Sequence, residues 1–208
     1  MKRLALLLLV ALAGCGGSGA PITPYVKRQT LTFDPAVSPA DRQWILAAID
    51  SARPEARQLI DDVDGMVVVR TWVAPNARAV GLMQRLGESR YEVDFNLAYL
   101  DGDRKLDRNT VALHELGHVV DAALVPPRLR DQLAGQLPTT GTCYTSDSGD
   151  CTAPAERFAD TFAKWALRGA VSATGSGYSV ATPASLEDWG APLARLAITI
   201  DVAVNDAR

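Results

Sequence analysis

The sequence predicts an α+β fold, a small twisted sheet of three or four strands with helices packed on one side. Three observations carry this. Short β-branched or alternating segments are confined to about residues 66–97. Apolar residues recur at helical spacing before and after that region. The chain shows no internal repeat, and about 190 residues beyond a leader suffice for one core-bearing domain, expected over residues 31–208.

The first elements concern the compartment. Lys2 and Arg3 precede an apolar run from Leu4 to Leu12. That run is shorter than the roughly 20 apolar residues needed to cross a bilayer. A basic start, a short apolar core and small residues predict an export signal over residues 1–14. Its end, Leu12-Ala13-Gly14-Cys15, resembles the bacterial lipobox. The resemblance implies that Cys15 is lipidated and becomes the mature N-terminus, several acyl chains on one residue holding a membrane firmly. The alternative is an ordinary cleaved signal followed by an idle cysteine. Residues 15–30, with Gly16-Gly17-Ser18-Gly19-Ala20-Pro21, read as the lipidated cysteine and a flexible tether. Gly16 rather than Asp follows the cysteine. By resemblance to Gram-negative lipoproteins, that disfavours retention at the inner membrane, and the anchor is expected on the extracytoplasmic side of the cell envelope, at the outer membrane if the cell is Gram-negative.

Without residues 1–14 the formal charge goes from −3 to −5, with 19 basic against 24 acidic residues. A mildly acidic chain without a Lys/Arg run argues against nucleic acid as a partner. A lipid anchor, a protein or peptide substrate and a monomeric state are expected instead. Beyond Cys15 two cysteines remain, Cys143 and Cys151. An even pair in an exported chain reads as a disulfide. It closes the loop from Tyr144 to Asp150 and contributes about 2–3 kcal/mol in the chain-entropy description.

Ser38-Pro39-Ala40-Asp41 is a helix start, with Ser as cap and Pro in the first turn. Trp44, Ile45, Ala48 and Ile49 follow at helical spacing, and Pro54 kinks or restarts the helix. Leu59, Ile60 and Val63 continue the apolar face up to Gly65. Met66 to Trp72 reads as a buried strand. Ala79 to Gln84 allows strand or helix. Arg90 to Leu97 alternates, with Tyr91, Val93, Phe95 and Leu97 on one face and Glu92, Asp94 and Asn96 on the other, and reads as a half-exposed edge strand. Asp101-Gly102-Asp103 is a turn; as a calcium loop it lacks the remaining ligands. A helix is expected from Asp107 or Asn109 to Leu124, ended by Pro126-Pro127. Short helices follow at Arg128–Leu137 and Pro154–Arg168, and an amphipathic one at Ser185–Ile200 with Leu186, Trp189, Leu193 and Leu196 inward.

The chain has two histidines, and both stand in His114-Glu115-Leu116-Gly117-His118. Four helical residues turn through about 400° and rise about 6 Å, so both imidazoles lie on one face and can bind one metal ion. Glu115 can then reach a water held by that metal. This is the H-E-x-x-H pattern of zinc peptidases. A catalytic zinc site needs a third protein ligand, here a carboxylate or, failing that, a thiolate, and an open fourth position. Cys143 and Cys151 are spaced too widely for the usual thiolate pattern. Two carboxylates are candidates. Asp121 lies one turn beyond His118 but is short for the task. Glu156, in Pro154-Ala155-Glu156-Arg157-Phe158-Ala159-Asp160, shares a helical face with Asp160.

H-E-x-x-H followed by E-x-x-x-D resembles the gluzincin branch of zinc metallopeptidases. His114–Asp121 with Glu156–Phe162 is most similar to the catalytic domain of anthrax lethal-factor-like peptidases. The resemblance covers about residues 107–165. It implies a zincin-like fold with a mainly antiparallel sheet, in which the motif helix and a glutamate-ligand helix meet beneath the cleft. It implies zinc on His114, His118 and Glu156, and Glu115 as the general base that activates a zinc-bound water. Asp160 would hydrogen-bond a ligand histidine. Asp121 would do the same or make a surface ion pair. In these enzymes a tyrosine before the glutamate helix stabilises the oxyanion. Tyr144 is the nearest match, and Tyr178 the other possibility. The long metzincin motif is not met, because Asp121 and Leu124 occupy its glycine and third-histidine positions.

The expected activity is therefore that of a membrane-tethered, extracytoplasmic zinc metalloendopeptidase. Two other readings stand beside it. One is a non-catalytic, zinc-containing lipoprotein binding module with the same fold. The other is hydrolysis of a cell-wall peptide amide.

Overall fold

The computed structural model describes residues 31–77, 79–101, 106–138, 153–170 and 180–206, with residues 204–206 described by backbone alone. The expected signal and tether, Cys15, Cys143, Cys151, Tyr144 and Tyr178 lie outside the described residues.

Among the described residues seven α-helices and four strands form an α+β fold. A two-residue strand β1 (Thr32–Phe33) leads into α1 (Pro39–Ser51) and α2 (Pro54–Val63). Ser38 caps α1 by accepting from the Asp41 amide, and Pro39 and Pro54 each begin a helix rather than break one. A 3-10 turn at Asp64–Met66 passes the chain to β2 (Val67–Trp72). Strands β3 (Gly81–Gly87) and β4 (Arg90–Asn96) form a hairpin, followed by the short α3 (Leu97–Leu100). The rest is helical: α4 (Arg108–Leu124), α5 (Pro127–Gly135), α6 (Pro154–Ala166) and α7 (Leu186–Asp206). The one-turn α3 and the two-residue β1 are too short to leave a periodicity in the sequence.

The sheet order is β1-β2-β4-β3. Two corrections follow. The sheet is mixed rather than mainly antiparallel, since β1–β2 and β2–β4 are parallel and only the β3–β4 hairpin is antiparallel. Parallel pairing needs a long crossover, and α1 with α2 supplies one between β1 and β2. Strand β4 is also not an edge. It inserts between β2 and β3, and β3 takes the edge. Alternation in Arg90–Asn96 records one covered face, which central and edge strands can share.

Register places Val67, Val69 and Thr71 beside Tyr91, Val93 and Phe95, and these beside Arg85, Met83 and Gly81. That face packs on the helices, and Val67, Val69, Tyr91, Val93 and Phe95 are buried. The opposite face carries Arg70, Glu92 and Asp94. Strand β2 is consequently covered on one side only, where a fully buried strand was expected. Helices α1, α2, α4, α6 and α7 complete the core around Ile45, Leu59, Leu113, Phe162, Trp165 and Trp189.

Asn96 holds the crossover from β2 to β3. Its side chain is fully buried and makes four hydrogen bonds. Its Oδ1 accepts from the Ala74 and Ala98 amides at 3.0 and 3.2 Å. Its Nδ2 donates to the Ala74 and Ala79 carbonyls at 2.8 and 3.1 Å. The start of β3 is thereby tied to the end of β4.

Candidate metal centre

Helix α4 begins where Asp107 Oδ1 accepts from the Thr110 amide at 2.7 Å and from the Thr110 hydroxyl at 2.6 Å. From Thr110 to Asp121 every residue is buried. A helix buried all round in this way belongs to the interior. His114 is fully buried and His118 nearly so, which removes the possibility of two idle surface histidines.

Helix α6 approaches α4 closely because Gly117 has no side chain. A Cβ there would stand 3.0 Å from Phe162 Cδ1 and 3.3 Å from the Ala159 Cα. The approach brings Glu156, in the first turn of α6, to both histidines. His114 Nε2 and His118 Nε2 are 3.1 Å apart. Glu156 Oε2 lies 3.2 Å from His114 Nε2, and Oε1 lies 3.4 Å from His118 Nε2. The imidazoles stand edge to face at 86°.

These three side chains form a group that could hold a metal ion. The spacing tests the fit. Ligand bonds of about 2.0–2.1 Å at tetrahedral angles place donors about 3.3–3.4 Å apart. The observed separations, 3.1 Å between the two nitrogens and 3.2 and 3.4 Å from them to the two different Glu156 oxygens, are close to such an edge length. Two imidazole nitrogens and one carboxylate are also a donor set suited to zinc and other first-row divalent ions.

Electrostatics agree with a cation-binding arrangement. Burial lowers His114 to about 4, keeping it neutral and able to donate a lone pair. Burial raises the Glu156 carboxyl, but hydrogen bonds with His114 and His118 outweigh it and hold the group well below the usual range. For His118, burial is outweighed by its bond to Glu156 and by nearby carboxylates, so its value is raised. Glu115 is pushed up to about 8, chiefly by burial, with the charges of Glu156 and Asp94 adding to it. A cation held by the triad opposes that negative field and favours the ionised form of Glu115.

Glu115 lies against the start of β3. An ideal Cβ on Gly81 would overlap Glu115 Oε1 and Cδ, and stand 2.6 Å from its Cγ. Only a glycine at this register position leaves room for the carboxylate. Neither Gly81 nor Asn96 stood out in the sequence. Gly81 opens an ambiguous segment, and Asn96 looks like an ordinary outward-facing polar residue.

The remaining carboxylates have cationic neighbours. Asp121 is buried, and Arg130 Nε of α5 donates to its Oδ1 at 2.7 Å. Asp160 is fully buried one turn after Glu156 and is ion-paired with Lys164. The Lys164 pairing has a sequence signal, the i, i+4 spacing on one helix. The Arg130 pairing has none, because it crosses the turn at Pro126-Pro127. Among the described residues no helix is long and apolar enough to cross a membrane. Comparison with family models, with curated proteins and with solved structures found no match to the chain.

Proposed function

We propose that the protein is a zinc-dependent peptidase of zincin-like architecture, held outside the cytoplasm by a lipid anchor on Cys15. The observation that carries the catalytic reading is the convergence of His114 Nε2, His118 Nε2 and a Glu156 carboxylate at 3.1 to 3.4 Å, with Glu115 buried next to them on α4. A purely structural zinc site usually has four protein ligands and no use for a neighbouring base.

When bound, zinc supplies Lewis acidity toward a peptide carbonyl and lowers the pKa of water. His114, His118 and Glu156 would hold the ion, and the single negative charge of Glu156 would leave the ion and its three ligands net positive. Glu115 takes the proton of the attacking water and delivers it to the leaving amine. The bare Cα of Gly81 leaves the space in which that carboxylate sits. By the resemblance drawn from the sequence, Asp160 would orient a ligand histidine, and Lys164 balances its charge. Tyr144, by the resemblance drawn from the sequence, donates to the oxyanion.

The test pairs two variants of the purified chain. Glu115→Gln is expected to keep one zinc per chain and lose peptide hydrolysis by about a hundredfold or more. Glu156→Ala is expected to lose most of the zinc. Full hydrolysis by Glu115→Gln would overturn the mechanism. Tightly held zinc with no hydrolysis of any protein would favour a binding module.

A further inference from the structure

A cleft of about 490 Å³ opens beside His118. Met83 and Phe158 contribute apolar wall, and Arg85, Arg130 and Asp121 contribute charge. Arg130 and Asp121 neutralise each other at 2.7 Å. Arg85 makes no ion pair among the described residues, and its Nε donates to the Gly87 carbonyl at 3.1 Å. Among the described residues that line the cleft, beyond His118, one positive charge is left uncompensated, on its β3 side.

The register of β3 ties that charge to the reacting centre. Gly81, Met83 and Arg85 pair with Phe95, Val93 and Tyr91, so all three lie on one face of β3, buried at Gly81 and exposed by Arg85. Gly81 abuts Glu115, and Arg85 follows four residues along, about 13 Å of extended chain. A substrate lying extended along β3, the edge strand of the sheet, with its scissile bond near Glu115 presents a residue within about four positions of that bond to Arg85. A basic side chain there meets like charge, and a carboxylate meets a complementary one.

We propose that the cleft is a specificity pocket for an acidic side chain of the substrate, a Glu or Asp within about four residues of the cleaved bond. This rests on the peptidase reading and names its substrate class.

The test uses the purified, zinc-loaded full chain on a library of proteome-derived peptides, with cleavage sites read by mass spectrometry. Glu and Asp are expected to be enriched at one fixed position. A peptide with Glu there should be cut about two- to fivefold faster in kcat/KM than its Gln counterpart, the range for an exposed ion pair. Arg85→Glu should reverse the order, so that a Lys peptide is cut faster than the Glu peptide. Because Arg85 is exposed, that variant is expected to melt with the parent chain. Cleavage without acidic enrichment, or an Arg85→Glu variant that keeps the preference for Glu, would overturn the pocket and leave the peptidase reading standing. No cleavage of any peptide would sink both.

Discussion

Glu115 of α4 occupies the space that a side chain on Gly81 of β3 would need. Two segments more than thirty residues apart in sequence therefore meet with nothing but a hydrogen atom between backbone and carboxylate. Gly81→Ala is expected to displace Glu115 while leaving the three metal-binding side chains in place. Zinc content should remain near one per chain, and kcat should fall by about a hundredfold, as for loss of a positioned acid–base group. Unchanged kcat in a zinc-replete Gly81→Ala chain would show that Glu115 does not need this space.

Gly117 governs the distance between α4 and α6. Adding a methyl there gains about 1 kcal/mol of helix propensity but crowds Phe162 and Ala159, at a cost of about 1–3 kcal/mol. The branched Gly117→Val gains less propensity than Ala, crowds Phe162 and Ala159 more, and forces the helices apart. Zinc affinity should fall at least tenfold, because Glu156 is carried away from His114 and His118. Competition with a chromophoric chelator measures this. An unaltered affinity would mean that α6 adjusts without moving Glu156.

Asn96 satisfies four hydrogen-bonding partners from a fully buried position. Asn96→Ala strands the Ala74 amide and the Ala74 and Ala79 carbonyls, and each unsatisfied buried group costs about 1–3 kcal/mol. The expected loss is at the upper part of that range or beyond, read as a lower midpoint in chemical denaturation. A loss under about 1 kcal/mol would show that water replaces the amide.

Stability should also depend on pH through Asp61. Burial, then the charges of Asp64 and Asp62, push its carboxyl up to about 7 from an ordinary 3.8. The folded chain therefore holds this proton at pH values where the unfolded chain has released it. The associated stabilisation is full below about pH 4 and is lost as the pH rises through about 7. Asp61→Asn removes the titration. At pH 8 it should melt above the parent chain, and its melting temperature should vary less between pH 5 and 8. Parallel pH profiles for the two chains would exclude Asp61 as the source.

Much of this arrangement was legible in the sequence because it is local. The cap at Ser38, the restart at Pro54 and the stop at Pro126-Pro127 are each written in a few adjacent residues, and the helices they bound appear where expected. The i, i+4 spacing of His114 and His118 sets two imidazoles on one face whatever surrounds the helix. Glu156 and Asp160 stood out for the same reason, although their spacing alone could not say that α6 would lie against α4.

The tertiary structure decided the rest. It set β4 in the middle of the sheet and β3 at its edge, because alternation reports a covered face and says nothing about which backbone pairs with which. It turned Asn96 inward to bind the crossover, a role invisible to periodicity since its partners lie 17 and 22 residues away. It brought Gly117 to Phe162, Gly81 to Glu115 and Glu156 to both histidines. Each of those meetings depends on how closely two backbones from distant parts of the chain can approach. That distance is set by the packed core between them, not by any pattern within either segment.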